Sequence, residues 1–121
     1  MGAAVITITE TTYTRVKKIK IAWVASDAGA GSAVTTNAYD GKCELLTTVP
    51  SGTAAPTDDY DITIKDADGV DVLAGAGLNR DTANTEQVVA SSLGAVAGSK
   101  LTFAVAAAGN AGAGTCYLYI R

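Results

Sequence analysis

Residues 59–73 read DYDITIKDADGVDVL and contain the clearest structural pattern in the chain. Apolar residues alternate with polar ones at its start, at Tyr60, Ile62 and Ile64. This period of two is typical of a strand with one buried face. Residues 66–69, DADG, supply turn chemistry, because Asp bonds to nearby backbone and Gly accepts a positive φ. The alternation resumes at Val70 and Val72, so the stretch predicts a strand, a tight turn and a return strand.

The same plan extends along the chain in both directions. Four further segments have strand-like alternation, at 13–26, 33–39, 43–49 and 100–107. In the first, Ile19, Ile21 and Trp23 share one face, which we expect to be core. In the last strand, 115–121, either Cys116, Leu118 and Ile120 or Tyr117 and Tyr119 point inward.

Turn signals separate these strands at fairly even spacing. Asp40-Gly41 predicts a two-residue hairpin, and 94–99 reads as a small-residue loop. Residues 86–93, EQVVASSL, fit either a strand or a short helical turn. We therefore predict one all-β domain over 1–121: an antiparallel β-sandwich or small barrel, jelly-roll or Ig-like, with six to eight short strands and Gly/Ala-rich loops.

Composition limits both the core and the partners. The chain is 48% hydrophobic but only 6% aromatic, and it contains 13 Gly. Small side chains bury little area each, so we expect a thin core that gains stability in a homo-oligomer. The net charge of −3 argues against nucleic-acid binding, which needs clustered Lys and Arg. The one basic cluster, at Arg15, Lys17, Lys18 and Lys20, is better explained as the solvated side and edge of a strand guarded against aggregation.

The N-terminal residues 1–12, MGAAVITITETT, predict either an extended arm or an edge strand of the same domain. An arm of this composition would add a strand to a neighbouring sheet. Ile6 and Ile8 in this segment, with Tyr13 and Arg15 beyond it, are therefore candidate partner-binding residues.

A second group of candidates lies in the long loop at 74–85, AGAGLNRDTANT, which breaks the alternation. Long ordered loops in compact domains often carry contacts. Asn79, Arg80 and Asp81 are expected either to hold the loop internally or to meet a partner.

No pattern in the sequence supports catalysis or a cofactor. The chain has no histidine, which excludes Ser-His-Asp and Cys-His arrangements. Asp58 and Asp59 are better explained as a solvated loop than as an acid–base pair, because active carboxylates need buried surroundings. The segment 66–71 partly resembles a calcium loop, yet Val70 stands where an oxygen ligand is needed. We therefore predict a protein that is not an enzyme and has no cofactor or metal.

The two cysteines, Cys43 and Cys116, are expected to be buried free thiols, with a disulfide as the alternative. Two cysteines without histidine make no zinc site. Neither a signal peptide nor an apolar stretch long enough to span a bilayer is visible. A soluble protein made in the cytoplasm is the expectation.

Residues 56–86, PTDDYDITIKDADGVDVLAGAGLNRDTANTE, resemble a group of small structural proteins of tailed bacteriophages. The resemblance rests on the YDIT strand, the DADGVDVL turn and the NRDTANTE loop. It implies a virion protein, first of all a decoration or cement protein that binds the major capsid protein on the outside of the head, commonly as a trimer. The alternatives are a neck, tail or fibre-associated virion protein and, in another class, a β-sandwich that binds carbohydrate or the host surface.

Overall fold

The structure is a computed structural model that describes residues 2–121. Met1, the first residue of the predicted arm, lies outside the described residues. Nine strands and one 3-10 turn, Ala90–Ser92, occur in the described part. The strands are β1 Val5–Thr12, β2 Lys17–Val24, β3 Gly31–Val34, β4 Tyr39–Pro50, β5 Asp61–Lys65, β6 Glu86–Val89, β7 Ala95–Ser99, β8 Thr102–Ala106 and β9 Ala113–Ile120.

The strands form two sheets in which every neighbouring pair is antiparallel. The large sheet has the order β1-β2-β9-β4, and both β6 and β7 pair with the far edge of β4. The small sheet has the order β3-β8-β5. The predicted all-β, antiparallel fold class is confirmed, with nine strands where six to eight were expected.

The core lies between the inward faces of these sheets. From β2, Ile19, Ile21 and Trp23 are each 2% exposed or less, as their alternation predicted. The open question in β9 is settled by burial: Cys116, Leu118 and Ile120 point inward. The small sheet contributes a matching set, Ile62, Ile64, Phe103 and Val105. One apolar cluster therefore spans both sheets.

The predicted 66–69 turn forms, but the predicted return strand does not. Asp66 Oδ1 accepts hydrogen bonds from the backbone N–H groups of Asp68 and Val70, which closes the turn. Beyond it, the chain makes a single bridge from Asp71 to Lys65 and then turns again. The reason lies in Asp71, whose carboxylate accepts three backbone N–H groups and bends the chain away from the ladder.

The predicted hairpin at Asp40-Gly41 is wrong, because both residues lie inside β4. The register of β4 shifts between Tyr39 and Gly41, where Gly41 has φ of 131°. A Cβ there would lie 2.6 Å from the carbonyl oxygen of Arg121. The glycine thus serves a bulge and a close backbone approach, which have the same sequence signal as a turn.

Three other boundaries differ from expectation. The predicted loop 94–99 contains β7, which pairs with β4 and buries Val96. Its small residues lack the β-branched pattern that signals a strand. The strand predicted at 33–39 is β3, which ends at Val34. Residues 86–93 were expected to form either a strand or a short helical turn, and they contain both: β6 comes first and the 3-10 turn follows it.

Candidate partner-binding surface

The N-terminal candidates lie in two different environments. Ile6 and Ile8 point inward from β1 and pack against the core. The β1 strand pairs with β2 over its whole length, from Val5 opposite Val24 to Thr12 opposite Lys17. Ile6 and Ile8 therefore make their packing contacts within their own domain.

Tyr13 and Arg15 lie in the tight turn that joins β1 to β2. The backbone N–H of Tyr13 donates to the carbonyl of Val16, and this bond closes the turn. Both side chains are exposed, with Tyr13 58% accessible. Both side chains remain available to a partner. The prediction that these residues belong to a strand is wrong, because β2 begins only at Lys17.

Asn79, Arg80 and Asp81 hold their loop together. The N–H of Asn79 donates to Asp61 Oδ1 at 2.9 Å, and Arg80 pairs with Tyr60 through the backbone. The Arg80 guanidinium lies 3.6 Å from the Glu86 carboxylate. Of the two roles expected for this loop, the structure contains the internal one.

Asp81 organises the end of the same loop. Its carboxylate accepts the N–H groups of Ala83 and Asn84 and the side-chain amide of Asn84. These backbone hydrogen bonds hold the pKa of Asp81 below its usual value. An ionised carboxylate that caps its own turn is a structural element.

The two groups of candidates do not form one site. The turn with Tyr13 and Arg15 precedes Lys17, whereas the Arg80 loop is attached to Tyr60, which packs on Trp23. Lys17 and Trp23 are six residues apart on β2, or about 20 Å at 3.3 Å per residue. Tyr13 and Arg15 therefore lie at the other end of the sandwich from the Arg80 loop, whereas Ile6 lies opposite Trp23 in the β1–β2 register.

The outer face of the large sheet is a larger and more continuous surface than either group of candidates. No strand among the described residues is stacked on it. The register aligns its outward residues in cross-strand rows. The rows are Val5–Val24–Ala113, Thr7–Ala22–Thr115–Val49, Thr9–Lys20–Tyr117–Thr47–Gln87 and Thr11–Lys18–Tyr119–Leu45–Val89. We refer to these four rows as the Tyr117 face. Tyr117 and Tyr119 lie at its centre, and both are half-buried.

The Tyr117 face differs in charge from the rest of the protein. Its rows contain two basic residues, Lys18 and Lys20, and no acidic one. Seven of the nine basic and all twelve acidic residues lie elsewhere, which leaves a net charge of −5 on the remainder. The Lys18 ammonium lies over the Tyr117 ring, 5.3 Å from its centroid. The Tyr117 face is thus weakly cationic and aromatic, whereas the rest of the protein is acidic.

A cleft of about 450 Å³ lies beside the β1–β2 turn. Its lining consists of Thr12, Lys17, Asn37, Ala38, Tyr39 and Asp40. The polar groups here bond to the protein itself: Lys17 Nζ donates to the Asp40 carbonyl at 2.9 Å, and Tyr39 Oη donates to Glu10 Oε1 at 2.7 Å.

The ionisable pair beside this cleft is poorly tuned for proton transfer. Burial, followed by the hydrogen bond to Glu10, raises the pKa of Tyr39. Partial burial raises the pKa of Glu10, but hydrogen bonds from Tyr39, Thr36 and Asn37 outweigh it and hold the value below normal. General acid–base groups work best near the operating pH, and these two are displaced in opposite directions from neutrality.

The carboxylates of the segment that partly resembles a calcium loop also have structural roles. Asp66 and Asp71 use their carboxylates on backbone N–H groups of their own turns. Among residues 2–121, no cluster of three or more His, Cys, Asp or Glu side chains is arranged to hold a metal ion. No helix in that range is long and apolar enough to cross a membrane.

Cys43 and Cys116 are free and buried. Cys43 lies opposite Ile120 and Cys116 opposite Thr48. Since Cys116 and Ile120 are four positions apart on β9, the two thiols occupy distant rows of the same sheet. Burial raises the pKa of Cys43 to about 11 and of Cys116 to about 12. Of the two expected states, the structure contains the free thiols.

The sequence contained a signal for the Tyr117 face. The TCYLYIR stretch places Tyr117 and Tyr119 on one side of β9, but which side faced the core was left open. Comparison with known proteins gives no further guide: no family model, curated protein or solved structure matches the chain. Function is therefore inferred from this surface and from the resemblance of residues 56–86.

Proposed function

We propose that this chain is a structural protein of a tailed-bacteriophage virion. Its role is to bind the major capsid protein on the outside of the assembled head and to stabilise the shell. In this role it acts as a decoration or cement protein and performs no catalysis.

The observation that carries the proposal is the composition of the Tyr117 face. The centres of protein interfaces are enriched in tyrosine and depleted in charge, with polar and charged groups at the rim. Here Tyr117 and Tyr119 are flanked by Leu45, Val49 and Val89, the last of which is 60% exposed. Lys18 and Lys20 are the direct cross-strand partners of Tyr119 and Tyr117. The aromatic and aliphatic residues suit contact with another protein, and the two lysines add positive charge beside them.

The segment that resembles phage proteins has a framework role here. The N–H of Asp59 donates to the Arg80 carbonyl, and that of Ile62 donates to the Gly77 carbonyl. Residues 74–81 thus run back along β5 and brace it. The resembling motifs consist of a strand, a turn and a loop that build the framework, which is compatible with a protein whose function is contact.

Binding alone is a sufficient mechanism. A protein that binds the assembled shell and not its dissociated subunits stabilises the shell by mass action. A net charge of −5 outside the Tyr117 face also disfavours adhesion to packaged DNA, because DNA affinity depends on basic contacts. The cationic face would then be directed towards a neutral or acidic capsid surface.

The test is binding of the purified protein to empty heads of the phage that encodes it. We expect Tyr117→Ala/Tyr119→Ala to weaken cosedimentation with heads at least tenfold, about 1.4 kcal/mol or more. The matched control is Tyr13→Ala, which removes an exposed tyrosine outside the face. Equal binding by all three proteins, each with an unchanged melting transition, would refute the proposed surface.

Copy number separates a head protein from a neck, tail or fibre component. Quantitative mass spectrometry of purified virions should give hundreds of copies per particle for a decoration protein. About a dozen copies would assign it to the neck or tail instead. Absence from the particle would reject a virion role altogether.

One observation favours a second candidate function. Tyr117 and Tyr119 are two residues apart on one strand, and exposed aromatic faces can stack on sugar rings. Lys18 already covers the Tyr117 ring, which leaves less of it for such stacking. A glycan array distinguishes the two: saturable binding that is lost in Tyr119→Ala would favour a carbohydrate-binding sandwich over a shell-binding one.

A further inference from the structure

The outer edge of β1 is long and has little of the usual protection against pairing. It is an edge strand of eight residues, VITITETT, at the end of the large sheet. Natural edge strands are usually short, bulged, or guarded by Pro or by charged side chains, including inward-pointing ones. β1 carries one such charge, at Glu10, but it has no Lys or Pro, and its pairing with β2 runs without a register shift from Val5 to Thr12.

The other edges are short or covered. β3 and β6 have four residues each, and β7 has five with a register shift in its pairing. The edge of β5 is occupied by the bridges at Arg80 and Asp71 and by the bond from Ile62 N–H to Gly77. β1 therefore stands alone among the described strands as a long edge with a regular register.

The single charge on β1 is held by hydrogen bonds on the inward side of the strand. Glu10 points inward, where its carboxylate accepts the N–H groups of Thr36 and Asn37 and the hydroxyl of Tyr39. It therefore adds little repulsion to a strand approaching from outside. The outward side chains, at Val5, Thr7, Thr9 and Thr11, are uncharged and β-branched, which suits cross-strand pairing.

We propose that β1 pairs with β1 of a second copy of this chain, antiparallel and about a two-fold axis. In this register Ile8 lies opposite Ile8 of the second copy, and Thr7 lies opposite its Thr9. The even spacing keeps inward residues on the inward side of both sheets. The inference rests on edge geometry and stands whether or not the partner of the Tyr117 face is a capsid.

The sequence of β1 is complementary to itself in this arrangement. Thr7 and Thr9 form Thr–Thr cross-strand pairs, which are favourable in antiparallel sheets. Glu10 falls opposite Ile6 of the second copy, so no like charges meet. Hydrogen bonds across the join would satisfy the outward backbone groups of both edges.

Such a contact closes at two copies, because the same edge is used on both sides. The expected oligomer is thus a dimer, and not the trimer that the phage resemblance implies. Pairing at β1 would also join the two large sheets, so that the two Tyr117 faces lie side by side. A ligand array of matching spacing would then be bound bivalently.

The test is the mass of the full chain in solution, by sedimentation equilibrium, for three proteins. Wild type should be dimeric. Thr7→Glu/Thr9→Glu should be monomeric, because the carboxylate introduced at position 7 of each copy then faces the one introduced at position 9 of the other. Thr7→Lys/Thr9→Glu should be dimeric, because the same positions then carry opposite charges.

The two variants share the Thr9→Glu change, which lies beside Lys20 in the protomer's own sheet, and residue 7 faces Ala22. Differences between them therefore report on the dimer contact more than on folding, which a melting curve checks. Ser32→Glu on the β3 edge is the control and should stay dimeric. A monomeric or trimeric wild type, or the same oligomeric state for both charge variants, would overturn the proposal.

Discussion

The rings of Trp23 and Tyr60 lie with their centroids 5.4 Å apart and their planes inclined at 48°. Trp23 belongs to the large sheet, and Tyr60 immediately precedes β5 of the small sheet. Both are fully buried. This contact thus joins the two layers through two of the chain's few aromatic residues.

A double-mutant cycle measures that contact. Trp23→Leu and Tyr60→Leu should each destabilise the protein, and the double variant should lose less than the sum of the two. The expected coupling is about 0.5–1.5 kcal/mol, the range for aromatic pairs. Urea unfolding of the four proteins provides the values. Strict additivity would show that the rings contribute only through their separate burial.

The Glu10–Tyr39 contact should make stability depend on acid. The pKa of Glu10 is lowered in the folded protein, so its contribution is present above the unfolded value of about 4.3 and is lost as pH falls through the folded value. Glu10→Gln should cost about 1–2 kcal/mol near neutral pH. It should also lose less stability than wild type on acidification.

The measurement is urea unfolding of both proteins at about pH 6 and about pH 3. Glu44→Gln, which removes a carboxylate outside this cluster, serves as the control for general charge effects. Parallel pH curves for wild type and Glu10→Gln would contradict the role assigned to Glu10.

The two thiols should be unreactive in the folded state. An unperturbed thiol has a pKa of about 8.5, and burial raises those of Cys43 and Cys116 to about 11 and about 12. At about pH 8 neither should react with Ellman's reagent until the protein unfolds, when both should react. A native mass two hydrogens below the reduced mass would instead indicate a disulfide.

Asp71 should be the most sensitive acidic residue of the 66–71 turn. Asp71→Ala leaves three backbone N–H groups without their acceptor and should cost about 1–3 kcal/mol. The exposed neighbour Asp68→Ala should change stability by less than about 0.5 kcal/mol. Equal effects would show that Asp71 does not hold the turn.

The same segment gives a test for calcium. If its carboxylates cap turns, millimolar calcium should leave the melting temperature of wild type unchanged. A calorimetric titration with micromolar affinity would instead show that the partial resemblance to a calcium loop reflects a real site.

Strands with one buried face could be predicted from the sequence, because their side chains alternate strongly. Ile19, Ile21 and Trp23 in β2 and Ile62 and Ile64 in β5 are buried as their spacing indicated. The alternation of apolar and polar residues is a property of neighbouring positions, so it can be recognised without knowing the tertiary arrangement.

Features set by distant contacts could not be predicted. β7 is a strand because small residues reach the edge of β4, and Gly41 is a bulge because Arg121 approaches it. Neither relationship is encoded locally. The Tyr117 face could not be predicted either. The side of β9 that faces the core depends on packing between the two sheets.

Electron cryomicroscopy of empty heads incubated with the purified protein would show directly whether the chain binds the shell. We expect regular added density on the outside of the shell, with the face that bears Tyr117 and Tyr119 against the capsid protein. Undecorated heads, or a protein attached through another surface with these tyrosines exposed to solvent, would contradict it.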